Sequence, residues 1–192
     1  PQLLILDKIS NDGKIYIKAK ININENGQIR KNYQISGELI DFSIKLLNNE
    51  KIDNISFKFN HSKNKSSLDN ISSKFKKLSI ISNEIIIKKN KKMYAVKGDI
   101  NSPISKIDDK IFLKYFNLPG LKNIIFSSNS NFSFEIGKKF KIKNLYFKSN
   151  INLKNAKYYF ESDNLKKILP NYTDGIQIKN NEINFEYKNK FI

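Results

Sequence analysis

The chain has no cysteine, a single histidine (His61), a single arginine (Arg30), and only seven glycines in 192 residues. Each shortage removes a class of chemistry. Without cysteine there is no disulfide framework, no thiolate metal site and no thiol nucleophile. One histidine without cysteine cannot supply the usual zinc ligands. A histidine-based triad would rest on His61 alone, which opens a polar 61–67 stretch that reads as a solvated loop. Arginine supplies the planar fork that grips phosphates and base edges, so a chain with only Arg30 is not built for specific nucleic-acid recognition. No run of 18 apolar residues occurs, and residues 2–6 are too short to span a bilayer. The glycines fall mostly at expected turns, and no phosphate-cradling loop is present.

What the chain has in excess is lysine, giving a formal net charge of +17. Such charge ordinarily points to polyanions or anionic membranes. Here it comes with an Ile/Asn/Lys-rich, arginine-poor composition of the kind an A/T-rich coding sequence produces, which lowers its weight. Among carboxylates, Asp108 and Asp109 are adjacent and diverge on a helix, and Glu38 and Asp41 flank an expected bulge. Both read as parts of a solvated face rather than as a catalytic pair. The expectation is a protein that is not an enzyme and carries no metal and no cofactor.

The dominant pattern is alternation. Residues 14–23 place Ile15, Ile17, Ala19, Ile21 and Ile23 on one face and lysines on the other, and Asn26-Gly27 follows as a tight turn. Residues 29–46 return with a phase slip near 37–40, which predicts a bulge. Phe57 and Phe59 mark another strand, and 68–78, less regular, reads as strand. Residues 80–87 and 93–100 make a hairpin with a basic tip at Lys88, Lys89, Lys91 and Lys92. The most regular stretch is 131–153, a hairpin with Phe132, Phe134 and Ile136 on one arm, then Phe147 and Ile151 on the other beyond a slip at Lys143-Asn144. Asp174-Gly175 predicts a last hairpin. Ser102-Pro103 reads as a helix start, with Ile104, Ile107, Ile111, Tyr115 and Leu118 at helical spacing, so an amphipathic helix is expected near 103–117 and a short one near 163–169. A loose repeat begins at Asn54, Asn70, Asn123 and Asn144, each followed by Ile or Leu and read as a strand start.

The fold class that follows is mainly β, a long antiparallel meander. Two helices cannot cover the apolar faces of about ten strand segments. The sheet either closes on itself as a β-sandwich, which pattern alone favours, or leaves an apolar face for something else to fill. The strand phases make Ile15, Ile17, Ile21, Ile35, Phe57, Phe59, Ile85, Ile87, Val96, Phe132, Phe134, Phe147 and Ile151 the lining of that face. The basic tip is either an edge-protecting turn or a contact for anionic lipid headgroups.

The stretch from Ser36-Gly37-Glu38-Leu39 to Asn70-Ile71-Ser72-Ser73-Lys74-Phe75, the run from Tyr94 to Ile100, and the close from Gly175 to Tyr187 resemble the AsmA-like family of bacterial envelope proteins, which includes the TamB and YhdP types. The resemblance covers most of the chain and lies in strand length, glycine at strand ends and Asn-Ile/Leu starts. It implies that residues 1–192 are one β-rich segment of a larger elongated protein, curved into an open, taco-like groove. Such a protein is held in the inner membrane by an anchor outside this chain and crosses the periplasm. Its groove carries phospholipid acyl chains toward the outer membrane, where outer-membrane proteins are further partners. The chain departs from the family in its shortness and its lysine-loaded polar face. A structural or adhesive sandwich and a non-specific polyanion-binding β domain are the alternative functions.

Overall fold

The computed structural model describes residues 9–10, 13–30, 32–45, 50–90, 93–116, 120–137, 141–159, 167–168 and 175–191. Ten strands make one antiparallel sheet. They are β1 (Ile9–Ser10), β2 (Lys14–Lys20), β3 (Gln34–Lys45), β4 (Lys51–Ser62), β5 (Lys65–Phe75), β6 (Leu78–Asn90), β7 (Met93–Lys106), β8 (Leu121–Ile136), β9 (Ile142–Tyr158) and β10 (Ile176–Phe191). From β3 to β10 each strand pairs with the next, and β1 and β2 both lie along the free edge of β3. The two ends of the meander do not pair with each other, so the sheet is open. The connections explain the meander: two-residue turns at Lys63-Asn64 and Lys76-Lys77 allow only antiparallel neighbours. Between β2 and β3, the Asn24 carboxamide oxygen accepts from the backbone N–H of Asn26 and of Gln28, and Gly27 takes φ +75°, forming the expected Asn-Gly turn.

The repeated asparagines are not strand starts. Asn54, Asn70, Asn123, Asn144 and Asn180, with Asp41, hold φ between +51° and +56° inside long strands. The register of β3–β4, β4–β5 and β8–β9 shifts at Asp41, Asn54, Asn70, Asn123 and Asn144. These are bulges in which one strand spends an extra residue. Asparagine tolerates the left-handed conformation better than other side chains, which is why it recurs there. Each extra residue flips the phase of alternation in the sequence, and the apolar set slips with it. Phe42 and Ile44 therefore stay on the face of Leu39, Ile55 on that of Ile52, and Leu145 on that of Ile142. The phase slips are how the chain keeps one face apolar through curved, twisted strands.

Two further expectations change. The segment from Ser102 is strand, not helix: β7 runs to Lys106 and pairs with β8, and its register shifts between Ser102 and Ser105. Pro103 sits at that irregularity, where a residue without an N–H does least damage to the ladder. The helix there, α1 (Asp109–Phe116), has eight residues and is capped by Asp108, whose carboxylate accepts from the Lys110 N–H at 2.9 Å. Asp109 accepts from the backbone N–H of Asn123 at 2.9 Å, tying the helix to a bulge of β8. The short helix expected near 163–169 lies almost wholly outside the described residues; Lys167 and Ile168 within it are helical. The hairpin expected at Asp174-Gly175 likewise lies partly outside them, and β10 pairs with β9.

Among the described residues the buried apolar cluster lies at one end of the sheet, and Val96, 7% exposed, is buried apart from it. Ile107, Ile124, Leu153 and Ala156 form the cluster, with Ile111 and Phe112 of α1 beside Leu78, Leu121, Phe126 and Ile178. Elsewhere no second layer is seen among the described residues, so the described strands do not form the sandwich. The accessible surface is 14434 Å², against about 9,400 Å² for a compact monomer of this mass. Lone bulges must then be well tolerated by their residues. Replacing Asn70 with Val is expected to lower stability by about 1–2 kcal/mol, whereas Asn70→Gly changes it little, because only Val pays a steric penalty in the left-handed region. Paired urea denaturation curves check this; equal losses for both variants would remove the conformational explanation.

Candidate functional site

Strand register decides which side chains share a face, since directly opposed residues of antiparallel strands project to the same side. Ile15 and Ile17 of β2 oppose Leu39 and Gly37 of β3; Ile35, Gly37 and Leu39 oppose His61, Phe59 and Phe57 of β4. Phe59 opposes Leu68, Leu68 opposes Ile85, and Ile85 and Ile87 oppose Gly98 and Val96. Val96 and Gly98 oppose Phe134 and Phe132, and Phe132 opposes Phe147. Ile151 opposes Ile183 and Phe147 opposes Tyr187 on β10. Twelve of the thirteen residues singled out from strand phase therefore lie on one continuous face that crosses the whole sheet. The exception, Ile21, lies beyond the end of β2 in the loop, 48% exposed. Phe134 and Phe147 share the face because the Asn144 bulge absorbs the slip between them.

Sequence reasoning missed part of this face. Ile183, Phe185 and Tyr187 of β10 extend it to the outer edge, with Phe185 6.1 Å from the Phe147 ring, and Leu39 and Leu68 fill its middle. The signal was present: the bulge asparagines, read as strand starts, mark where the apolar phase shifts.

Glycines on the face seat the phenylalanines. The Phe132 ring lies over Gly98 and the Phe59 ring over Gly37; a β-carbon at Gly37 would fall 2.6 Å from Phe59, and one at Gly98 would fall 3.1 Å from Phe132. Phe132 and Phe134 stack with centroids 5.9 Å apart. Ser130 and Ser149 interrupt the apolar surface but satisfy each other through a 2.9 Å hydrogen bond.

The opposite face is polar, with lysines interspersed among Asp, Glu, Ser and Asn. Asn101, Asn129, Asn150 and Asn184 stand in register across β7 to β10, and the last two are joined by a 3.1 Å amide hydrogen bond. The carboxylates here are structural. Asp99 sits beside the irregularity of β6 and accepts from the backbone N–H of Asn83 and of Glu84 and from the Asn101 amide at 2.6 Å. Burial pushes its carboxyl upward, but these donors outweigh it and leave the group below the usual carboxylate range.

His61 is not in a loop. It belongs to β4 on the apolar face, with Nδ1 2.7 Å from the Ser66 hydroxyl and Nε2 3.3 Å from the Tyr33 hydroxyl. No carboxylate orients the ring, and among the described residues no cluster of His, Asp or Glu could hold a metal ion. Lys88 and Lys89 close β6 at the end away from α1, where Lys89 donates its N–H to the Asn64 carbonyl; Lys91 and Lys92 lie outside the described residues.

At the packed end, Glu50 joins three elements. It accepts from Lys114 of α1 at 2.6 Å and from Lys76 of the β5–β6 turn, and these partners hold its carboxyl at about 2, well below the ordinary value. A carboxylate with a depressed folded-state pKa stabilises above its unfolded value and loses that contribution as pH falls toward the folded one. Docking of α1 should therefore weaken between about pH 5 and pH 2. Corrected for the pH dependence of the intrinsic rate, hydrogen-exchange protection of the Phe112 amide, which donates to the Asp108 carbonyl, should fall across that window, and Glu50→Gln should give the lower protection already at pH 7. Protection indifferent to both changes would show that the ion pairs do not hold the helix.

Comparison with protein-family models, with curated proteins and with solved structures finds no match for this chain.

Proposed function

We propose that the apolar face binds phospholipid acyl chains, and that the chain is a periplasmic segment of an AsmA-like protein, anchored in the inner membrane, that conducts lipid between inner and outer membranes along a β-groove. The observation that carries this reading is one largely apolar face running from β2 to β10, interrupted by Ser130 and Ser149, over which the described residues lay no covering layer except at the α1 end. Large apolar side chains on it stand in the open, among them Ile17 at 64% and Phe185 at 49%. Exposed apolar area on this scale marks a binding surface. Burying an acyl chain of sixteen carbons gains on the order of 12 kcal/mol before ordering costs, at about 0.8 kcal/mol per methylene.

Curvature of the sheet into a groove has two supports. Bulges increase strand twist and bend. Ser130 and Ser149 are only 4–5% exposed although no second layer of described residues lies over them, as happens where same-face neighbours lean together over a concave surface. In this reading Lys88 and Lys89, at the end away from α1, meet anionic headgroups, each contributing about 1 kcal/mol.

Photo-crosslinking residues at Phe134 and Phe147 should capture phospholipid in cells, while one at Lys148, the next residue along β9 and on the opposite face, should not. Equal capture at all three positions, or none at any, would contradict the proposal.

A further inference from the structure

The apolar face carries a polar cluster beside the β4–β5 turn. There His61 of β4 opposes Ile35 of β3 and Ser66 of β5, and Ser66 opposes Ile87 of β6. The imidazole is held from both sides: Nδ1 lies 2.7 Å from the Ser66 hydroxyl and Nε2 lies 3.3 Å from the Tyr33 hydroxyl, with the two rings tilted at centroids 5.8 Å apart. All three side chains are half-buried. Lys89, two residues beyond Ile87, projects to the same side, is exposed, and lies diagonally from Ser66 within reach of a long side chain. Asp69, Glu84 and Glu135 alternate with Leu68, Ile85 and Phe134 and so project to the opposite face. At this end the described strands therefore offer donors and a cation on the apolar face, and no carboxylate.

The trio of Tyr33, His61 and Ser66 is short of an acceptor. With a neutral ring it carries three polar hydrogens, one on each hydroxyl and one on the imidazole, and its two contacts use two of them. If Nδ1 holds the ring proton it donates to Ser66 while Tyr33 donates to Nε2, and the Ser66 hydrogen is left over. If Nε2 holds it, the roles reverse and the Tyr33 hydrogen is left over. A charged ring leaves both. Every protonation state thus presents an O–H to an acceptor from outside, and Lys89 beside it favours an acceptor that is negatively charged. We infer, on the reading of the face as an acyl-chain surface, that Tyr33, His61, Ser66 and Lys89 receive the phosphate oxygens of a phospholipid whose tails run along β4 and β5, past Phe59 and Leu68, toward α1. The same anionic oxygens occur in free phosphate, but only the lipid also covers the apolar residues that begin one row away.

The test is isothermal titration calorimetry on the intact chain with two monomeric short-chain lipids of matched tails, phosphatidylglycerol and diacylglycerol, which differ only in the head. Phosphatidylglycerol should bind roughly tenfold or more tightly, the scale of one hydrogen bond to a charged group. Tyr33→Phe and Ser66→Ala in one chain remove the left-over hydrogen in either tautomer and should cancel most of that advantage while leaving diacylglycerol binding unchanged. Lys89→Gln, on an exposed side chain, should reduce the same advantage and serves should the double variant lose its strand content by circular dichroism. Leu68→Asp, in the path of the tails, should weaken both lipids alike, and inorganic phosphate should not displace either. Equal binding of the two lipids, or a double variant and a Lys89→Gln variant that keep the full preference, would show that the face takes tails without this site holding the head, and displacement by inorganic phosphate would show a free-anion site; each overturns the inference alone. Binding of neither lipid would overturn the acyl-chain reading and the inference with it.

Discussion

Six residues held near φ +50°, five of them asparagine, make a single-faced sheet possible in this chain. A strand of 16 or 17 residues, such as β8 or β9, does not stay straight, because strand twist accumulates along it. A bulge relieves the mismatch between twisted neighbours, but it also inverts every side chain beyond it. The sequence compensates by moving its apolar residues one place at each bulge. Local backbone strain, strand register and the continuity of the apolar face are thus one constraint. A sheet with the bulges but without the shifted phase would alternate between faces and bury neither.

That constraint explains how the chain persists with so little core. Ladder hydrogen bonds and cross-strand apolar pairs hold the sheet, and among the described residues the buried apolar cluster sits at the α1 end. There Asp108 caps the helix, Asp109 ties it to the Asn123 bulge, and Glu50 draws Lys114 and Lys76 together. The glycine positions serve the same surface, since the Phe132 and Phe59 rings reach into the space a side chain would otherwise claim. What remains is a broad, largely apolar face.

The strands and the shared face were legible because alternation is a local property and survives in every segment. Phe132, Phe134, Phe147 and Ile151 were identifiable from spacing alone. The expected helix start at Ser102-Pro103 failed because cap chemistry is also local, and the pairing of β7 with β8 outweighed it. His61 looked solvated among serines and lysines, yet a two-residue turn leaves it within β4, where Ser66 and Tyr33 meet its ring. Asn54, Asn70, Asn123 and Asn144 were visible as a repeat, but the sequence does not distinguish a residue that begins a strand from one that bulges it. Whether the sheet closes on itself is a long-range outcome that no window of residues encodes.

The account stands on the apolar face being open to lipid. The most direct measurement is quantitative mass spectrometry of lipid extracted from the protein after detergent-free purification from bacterial cells. The account predicts phospholipid at about one or more molecules per chain, lost when Phe134 is replaced by Asp while strand content is retained. Protein that purifies free of lipid, with the face still accessible to solvent, would contradict it.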